Sequence, residues 1–299
     1  MLQLVEISLS QGVEDMIAVT GATGQLGKLI VEQLLEKVPA DQIVAVVRDP
    51  QKAQALAEKG VQVRQAGYSQ PESLAAAFNG VEKVLLVSSS EVGHRVPQHQ
   101  AVTDAARAAG VKLLAYTSIL NADTSTLLLA KEHQPTEAYI RASGVPFTFL
   151  RNGWYTENHT GSLAAAVEHG AVLGAAKDGR FATATRADYA AAAVAVLTGK
   201  GHVNKVYELG GDEPYTLSEL AAEVARQTNK PVIYKDLPQE EYAKALAGFG
   251  LPEGLANAIA DADAGASRGE LFTSSHDLSR LIGRATTPLQ ESVAAALSR

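Results

Sequence analysis

Short apolar, β-rich runs at 17–19, 43–47, 61–64, 81–88, 112–118, 146–150 and 205–209 alternate with longer stretches in which apolar residues recur every three or four positions. Leu26, Leu29, Ile30, Leu34 and Leu35 show that helical spacing after the first run, and 102–109, closed by Gly110, and 189–197 show it later. The alternation predicts an α/β fold, a Rossmann-like doubly wound parallel sheet covered on both faces. Boundary residues agree: Asp49 before Pro50 reads as an N-cap with proline at the first helical position, and Ser69 with Glu72 and Thr216 with Glu219 read as capping boxes. From Thr216 onward the pattern is mainly helical, which predicts a smaller C-terminal lobe. Within it, the Gly/Ala-rich stretch 245–269 fits a mobile lid or a helix pair. Residues 1–15 do not alternate convincingly and read as an N-terminal extension outside the core, at best an edge segment at 2–7.

The turn between the first strand and first helix carries the chemistry. Gly21, Ala22, Thr23, Gly24, Gln25 and Leu26, followed by Gly27, give Gly-x-x-Gly-x-x-Gly, one residue longer in the first gap than the usual dinucleotide fingerprint. Such a turn lets bare backbone approach an anion, and the free N–H groups at the helix start face it. A dinucleotide pyrophosphate is therefore the expected occupant. The second strand ends at Arg48, where an arginine suits a ribose 2′-phosphate and an acid would suit a free hydroxyl, so NADPH is favoured and Asp49 is left to its capping role. Ligands of a doubly wound sheet bind beyond the carboxyl ends of the strands. Ser88, Ser89 and Ser90, then Tyr116, Thr117 and Ser118, then Asn152, Gly153, Trp154 and Tyr155 all fall there.

Composition narrows the alternatives. The chain of 299 residues is 46% hydrophobic, enough for a large core, and its 26 Lys and Arg against 33 Asp and Glu leave a net charge of −7, contrary to a nucleic-acid surface. It has no cysteine, so disulfide and thiolate chemistry are excluded. Its seven histidines (94, 99, 133, 159, 169, 202, 276) contain no i, i+4 pair, so no metal is expected. No apolar stretch approaches the ~20 residues of a membrane helix, and the expected location is the cytoplasm, away from membranes.

Taken together, MIAVTGATGQLG from Met16, VRDP at 47–50, LLVSSSEVG at 85–93, AYTSIL at 115–120, RNGWYTEN at 151–158 and ATRADYAAAA at 184–193 resemble the NmrA-like, atypical short-chain dehydrogenase/reductase family, nearest its bacterial quinone-reducing members. The resemblance runs from Met16 to the C-terminus. It implies NADPH without flavin and reduction of a small-molecule quinone in a cleft between two lobes. Residues 16–155, completed by about 183–210, would form the NADP-binding lobe, and 156–182 with 211–299 the substrate lobe. Matched by motif, Gly21 to Leu26, Arg48, Ser88 to Ser90 and Asn152 to Tyr155 would hold the cofactor, with Trp154, Tyr155 and Asn158 near the substrate. Oligomeric state stays open, a homodimer included.

Two departures bear on mechanism. Gly67 stands where relatives place an aspartate toward the adenine, removing one hydrogen bond worth on the order of 1 kcal/mol. No tyrosine is followed four positions later by lysine, so the usual alcohol–ketone acid pair is absent. A quinone tolerates that loss, because its reduction gives a stabilised anion that water can protonate. The catalytic candidates are Tyr155 and His133, the latter read as a loop residue that either donates a proton or is structural. Trp154 and Tyr155 suit an aromatic slot or core packing. Two other readings remain: an NADP(H)-binding redox sensor without turnover, and an isoflavone-reductase-like double-bond reductase, weakened by Pro135-Thr136-Glu137 where those enzymes use a lysine.

Overall fold

Five consecutive apolar residues, Ile43–Val47, all buried, can only form a strand covered on both faces, and the fold is built around it. The computed structural model describes residues 15–298. The expected edge segment at 2–7 lies outside them; Asp15 is held by Lys83 at 2.9 Å.

In chain order the elements begin β1 (Ile17–Thr20), α1 (Gln25–Leu34), β2 (Ile43–Val47), α2 (Gln54–Ala57), β3 (Gln62–Gln65), α3 (Pro71–Ala77) and β4 (Lys83–Leu86). They continue with α4 (Arg95–Ala108), β5 (Leu113–Ile119), α5 (Ala130–Ser143), β6 (Phe147–Asn152), α6 (Thr156–Thr160), α7 (Leu163–His169) and β7 (Ala171–Gly174). The remainder is α8 (Arg186–Thr198), β8 (Lys205–Leu209), α9 (Leu217–Thr228), β9 (Ile233–Asp236), α10 (Gln239–Gly248), α11 (Glu253–Ala266), α12 (Asp277–Ile282) and α13 (Leu289–Leu297). Seven strands form a parallel sheet in the order β3-β2-β1-β4-β5-β6-β8, so the winding reverses between β1 and β4. One apolar layer joins the sheet to α1 and α8 through Ile30, Leu34, Ala193 and Leu197. The opposite layer joins it to α3, α4 and α5 through Leu74, Phe78, Val102 and Ile140. A third core, with Leu127, Leu163, Phe181, Leu220, Val224 and Val293, belongs to the smaller lobe. Among the described residues no helix is long and apolar enough to cross a membrane.

Several boundaries differ from the sequence expectation, each for a local reason. The smaller lobe is not purely helical: β7 and β9 pair in parallel as a separate two-stranded sheet. Residues 245–269 fall mostly in the α10/α11 helix pair. The capping box at Thr216 and Glu219 forms, and Asp49 caps through Gln51 N–H, but Ser69 and Glu72 make no box. Pro71 occupies the first turn of α3, which makes Gln70 the N-cap. Helix α4 starts at Arg95 rather than near 102, because Pro97 sits in a first turn whose N–H groups lack partners in any case. β4 ends at Leu86 rather than 88, since beyond it side chains replace the strand ladder: Val87 N–H bonds Thr20 Oγ1 and Ser88 N–H bonds Thr117 Oγ1.

Candidate active site

At the end of β1 the buried Thr20 donates its hydroxyl to the Leu85 carbonyl, and the Tyr68 hydroxyl lies 2.6 Å from Thr20 Oγ1 and 2.7 Å from the Val87 carbonyl. This pins β1 to β4 at the point where the sheet reverses. Gly21 then takes φ +60°, a left-handed conformation that glycine adopts at no steric cost. A methyl group on Gly27 would stand 2.2 Å from the Gly21 carbonyl oxygen, so helix and turn touch backbone to backbone. The close approach that Gly27 permits is thus to the turn rather than to the sheet. Gly24, the N-cap of α1, offers no side chain, and the first turn holds no acidic residue. Lys28 N–H reaches back to the Gly24 carbonyl, whereas the N–H groups of Gln25, Leu26 and Gly27 have no acceptor among the described residues. The helix therefore presents unpaired donors and its positive end to solvent, a seat for an anion.

The parallel sheet brings the other expected groups to the same edge. Arg48 follows β2 and is exposed; its Nη1 donates to Glu91 Oε1 at 2.8 Å, and Glu91 also accepts from Gln98 at 2.7 Å. The exposed guanidinium keeps its Nη2 and Nε donors free for a phosphate beside that carboxylate. Gly67 accepts from Gln70 N–H, and Gln70 Oε1 lies 3.6 Å from the place a Cβ on Gly67 would occupy, so an amide stands beside the missing aspartate. Ser89 is buried and its N–H donates to His99 Nε2 at 3.0 Å; Ser90 is exposed.

Beneath this rim lies a polar network that the pattern of residues did not reveal. Since His99 Nε2 accepts, its proton sits on Nδ1 and donates to Thr136 Oγ1 at 3.1 Å, and Thr136 donates to the Glu132 carbonyl. Burial, with Arg95 nearby, pulls His99 down to about 3. His133 is not a loop residue. It lies inside α5, 5% exposed, with Nδ1 2.6 Å from the Tyr116 hydroxyl and Nε2 3.4 Å from Arg95 Nη1. Burial and then Arg95 hold its ring well below the usual histidine range, so it is neutral and a poor proton donor. Pro135 masked the helix, since its missing N–H and ring usually break one.

At the end of β6, Asn152 is buried with Oδ1 unpartnered, an acceptor facing no protein donor. Gly153 leaves no room for a side chain among the Tyr189 hydroxyl and the Ala182 and Leu209 carbonyls, each 3.0–3.1 Å from its would-be Cβ. Trp154 packs partly buried on the core of the smaller lobe, and Tyr155 on the core of the larger. These adjacent aromatics therefore straddle the two lobes. Tyr155 meets Tyr189 edge-on, with ring centres 5.4 Å apart, and the Arg186 guanidinium lies 4.4 Å over its ring. Burial pushes the Tyr155 hydroxyl above its ordinary range, so it stays protonated. Asn158 is exposed and accepts from Arg186 at 3.0 Å. Tyr68, Glu91, Arg95, His99 and Tyr189 were missed, because they meet only through the sheet order.

Comparison with known proteins gives the family and the fold. The chain is 58% identical over 278 residues to Quinone oxidoreductase 2 of Escherichia coli (strain K12), covering 93% of this chain and 97% of that protein. The crystal structure of an NADPH-dependent quinone oxidoreductase from Escherichia coli complexed with NADPH superposes with a TM-score of 0.92 at 57% identity, covering 94% of this chain and all of that one (100%). The Citrobacter sp. triphenylmethane reductase complexed with NADP(H) gives 0.89 at 44% identity, over 94% of this chain and 99% of the other. The NmrA-like family model matches residues 13–287, and with that span and that likeness the chain belongs to the NmrA-like family.

Proposed function

We propose that this protein is an NADPH-dependent quinone reductase that works by hydride transfer, without flavin or metal. The observation that carries the reading is the uncapped, glycine-lined start of α1 at the sheet's reversal point, with Arg48 at the tip of β2. The N–H groups of Gln25, Leu26 and Gly27 hold the pyrophosphate, and the free donors of the exposed Arg48 hold the 2′-phosphate. Ser88 to Ser90 and Asn152 to Tyr155 surround the nicotinamide end, where the Asn152 amide would have to turn outward to meet a carboxamide N–H₂. When bound, NADPH supplies the hydride; the protein supplies position. Trp154 and Tyr155 flatten the substrate ring at the seam between lobes, and Asn158 lies at its outer edge. Residues 156–182 and 211–299 form the lobe that covers it.

Choice of reaction rests on the proton. With no Tyr-x-x-x-Lys pair and with His133 neutral, a ketone would meet no strong acid, whereas a reduced quinone is a stabilised anion. The likeness to quinone oxidoreductases points the same way. Mixing purified protein with NADPH and 1,4-benzoquinone should consume the reduced-nicotinamide absorbance in proportion to enzyme. Tight NADPH binding without turnover would instead support a redox sensor.

A further inference from the structure

We propose that Arg95 is a catalytic residue that takes up the negative charge developing on a quinone oxygen, and so tunes the site to acceptors that become anions on reduction. The inference deepens the quinone-reductase reading and rests on it.

The first argument is position. Arg95 opens α4, one helical turn before His99, on the face that meets the sheet. His99 is anchored there by Ser89 N–H just past β4, so the arginine one turn nearer the helix start overlooks the carboxyl rim. Its Nη1 lies 3.4 Å from His133 Nε2, and its charge is felt by the hydroxyls of both Tyr116 and Tyr155. The guanidinium thus sits against the buried His133–Tyr116 pair, under the carboxyl rim of β4 and β5.

The second argument is that no carboxylate pairs with it directly, although the charge of Glu132 is near enough to favour its charged form. Among the described residues no carboxylate oxygen comes within 4.0 Å of the guanidinium, and its Nε is buried without an acceptor. Glu132 is the nearby acid, yet Glu132 accepts from the backbone N–H groups of Gly93 and Arg95 at 3.0–3.1 Å, capping α4 rather than pairing the side chain. The buried Arg151 shows how this fold treats a structural arginine: Asp123, Glu137 and Glu208 all bind it. Arg95 is only partly buried, but its Nε is shut from solvent with no acceptor, a cost that a site receiving an anion would account for. Burial indeed pulls Arg95 below its ordinary range while leaving it charged.

The chemistry balances without another reactant. With NADPH bound, the bond broken would be the C4–H bond of the reduced nicotinamide, which is oxidised to NADP+; the bond formed would be to one quinone oxygen, and the electron pair displaced through the ring would come to rest on the other oxygen. Arg95 donates to that oxygen. Water then protonates the hydroquinone anion. A cationic acceptor that becomes neutral on accepting hydride gains nothing from this charge, which makes Arg95 selective as well as accelerating.

The test uses Arg95→Gln and Arg95→Lys in the full chain, with folding checked by circular dichroism. 4-Nitrophenol serves as the probe, its ionised and neutral forms distinguished by absorbance when bound to protein saturated with NADP+. Wild type should favour the bound phenolate by at least about tenfold over water, Arg95→Lys should keep part of that preference and Arg95→Gln none. In parallel, Arg95→Gln should lower kcat for 1,4-benzoquinone by about a hundredfold at unchanged NADPH affinity. A phenolate preference equal in wild type and Arg95→Gln, or absent from both, would overturn the proposal even if turnover fell. A wild type that favours phenolate but reduces no benzoquinone would remove the quinone-reductase reading beneath it, and with it this role.

Discussion

Gly27 shows how much one hydrogen atom decides. A Cβ there would meet the Gly21 carbonyl at 2.2 Å, a backbone contact that no rotamer change relieves. Gly27→Ala should therefore push α1 away from the turn that its N–H groups overlook, destabilising the protein by about 1–3 kcal/mol and weakening NADPH binding more than tenfold. Thermal unfolding and a fluorescence titration check the two halves. At Gly80 a Cβ would meet open space, so there only the left-handed φ of +72° favours glycine. At this scale the glycine turn, Arg48 and the Asp49 cap were legible in the sequence, because each rests on local stereochemistry or on a charge at a strand tip. Arg95 was not legible. Its meaning lies in the acid that fails to pair with it, and only the folded arrangement shows that.

Among the elements, legibility follows burial. β2 matches its expected residues because its buried apolar run stops sharply, β8 matches through its β-favouring Val206 and Tyr207 although mostly only partly buried, and α9 was marked by a working capping box. β7 and β9 were missed: each is four residues long and incompletely buried, and β9 reads Ile-Tyr-Lys-Asp with only Tyr234 partly covered. The starts of α4 and α5 were obscured by Pro97 and Pro135, whose cost depends on where in the helix they fall. Those two helices carry Arg95, His99, Glu132, His133 and Thr136. Misjudging where they begin hid the network under the rim, and with it the histidine that was expected in a loop. The end of β4 teaches the same lesson, since its last pairings are replaced by Thr20, Thr117 and His99, residues distant in sequence that only the strand order brings together.

Across the whole molecule, buried titratable groups set a pH response. His99, at about 3, and His159, at about 4, are joined by the neutral His133; all three are depressed chiefly by burial. Each contributes stability that is present above the unfolded value near 6.5 and lost as pH falls toward the folded one. Asp263 acts oppositely. Burial raises it to about 7, so it contributes stability at low pH that is lost as pH rises from the ordinary carboxylate range through 7. Between pH 6.5 and 5 the three histidines outweigh the one aspartate, and wild type should lose stability on acidification, each unmatched proton counting up to about 1.4 kcal/mol per pH unit. Asp263→Asn can keep the bond from Ala175 N–H while removing the opposing term. Its unfolding midpoint should fall more steeply than that of wild type over the same interval, as urea titrations at stepped pH will show; an identical slope would deny Asp263 this role.

The account as a whole depends on a phosphorylated dinucleotide seated between the start of α1 and Arg48. Titration calorimetry of NADPH and NADH into wild type and Arg48→Asp tests this most directly. We predict that wild type binds NADPH the more tightly, and that Arg48→Asp closes the gap by about tenfold or more, the worth of a charge-assisted contact, while leaving NADH little changed. No heat from either nucleotide on folded wild type, or an equal loss of both in Arg48→Asp, would contradict it.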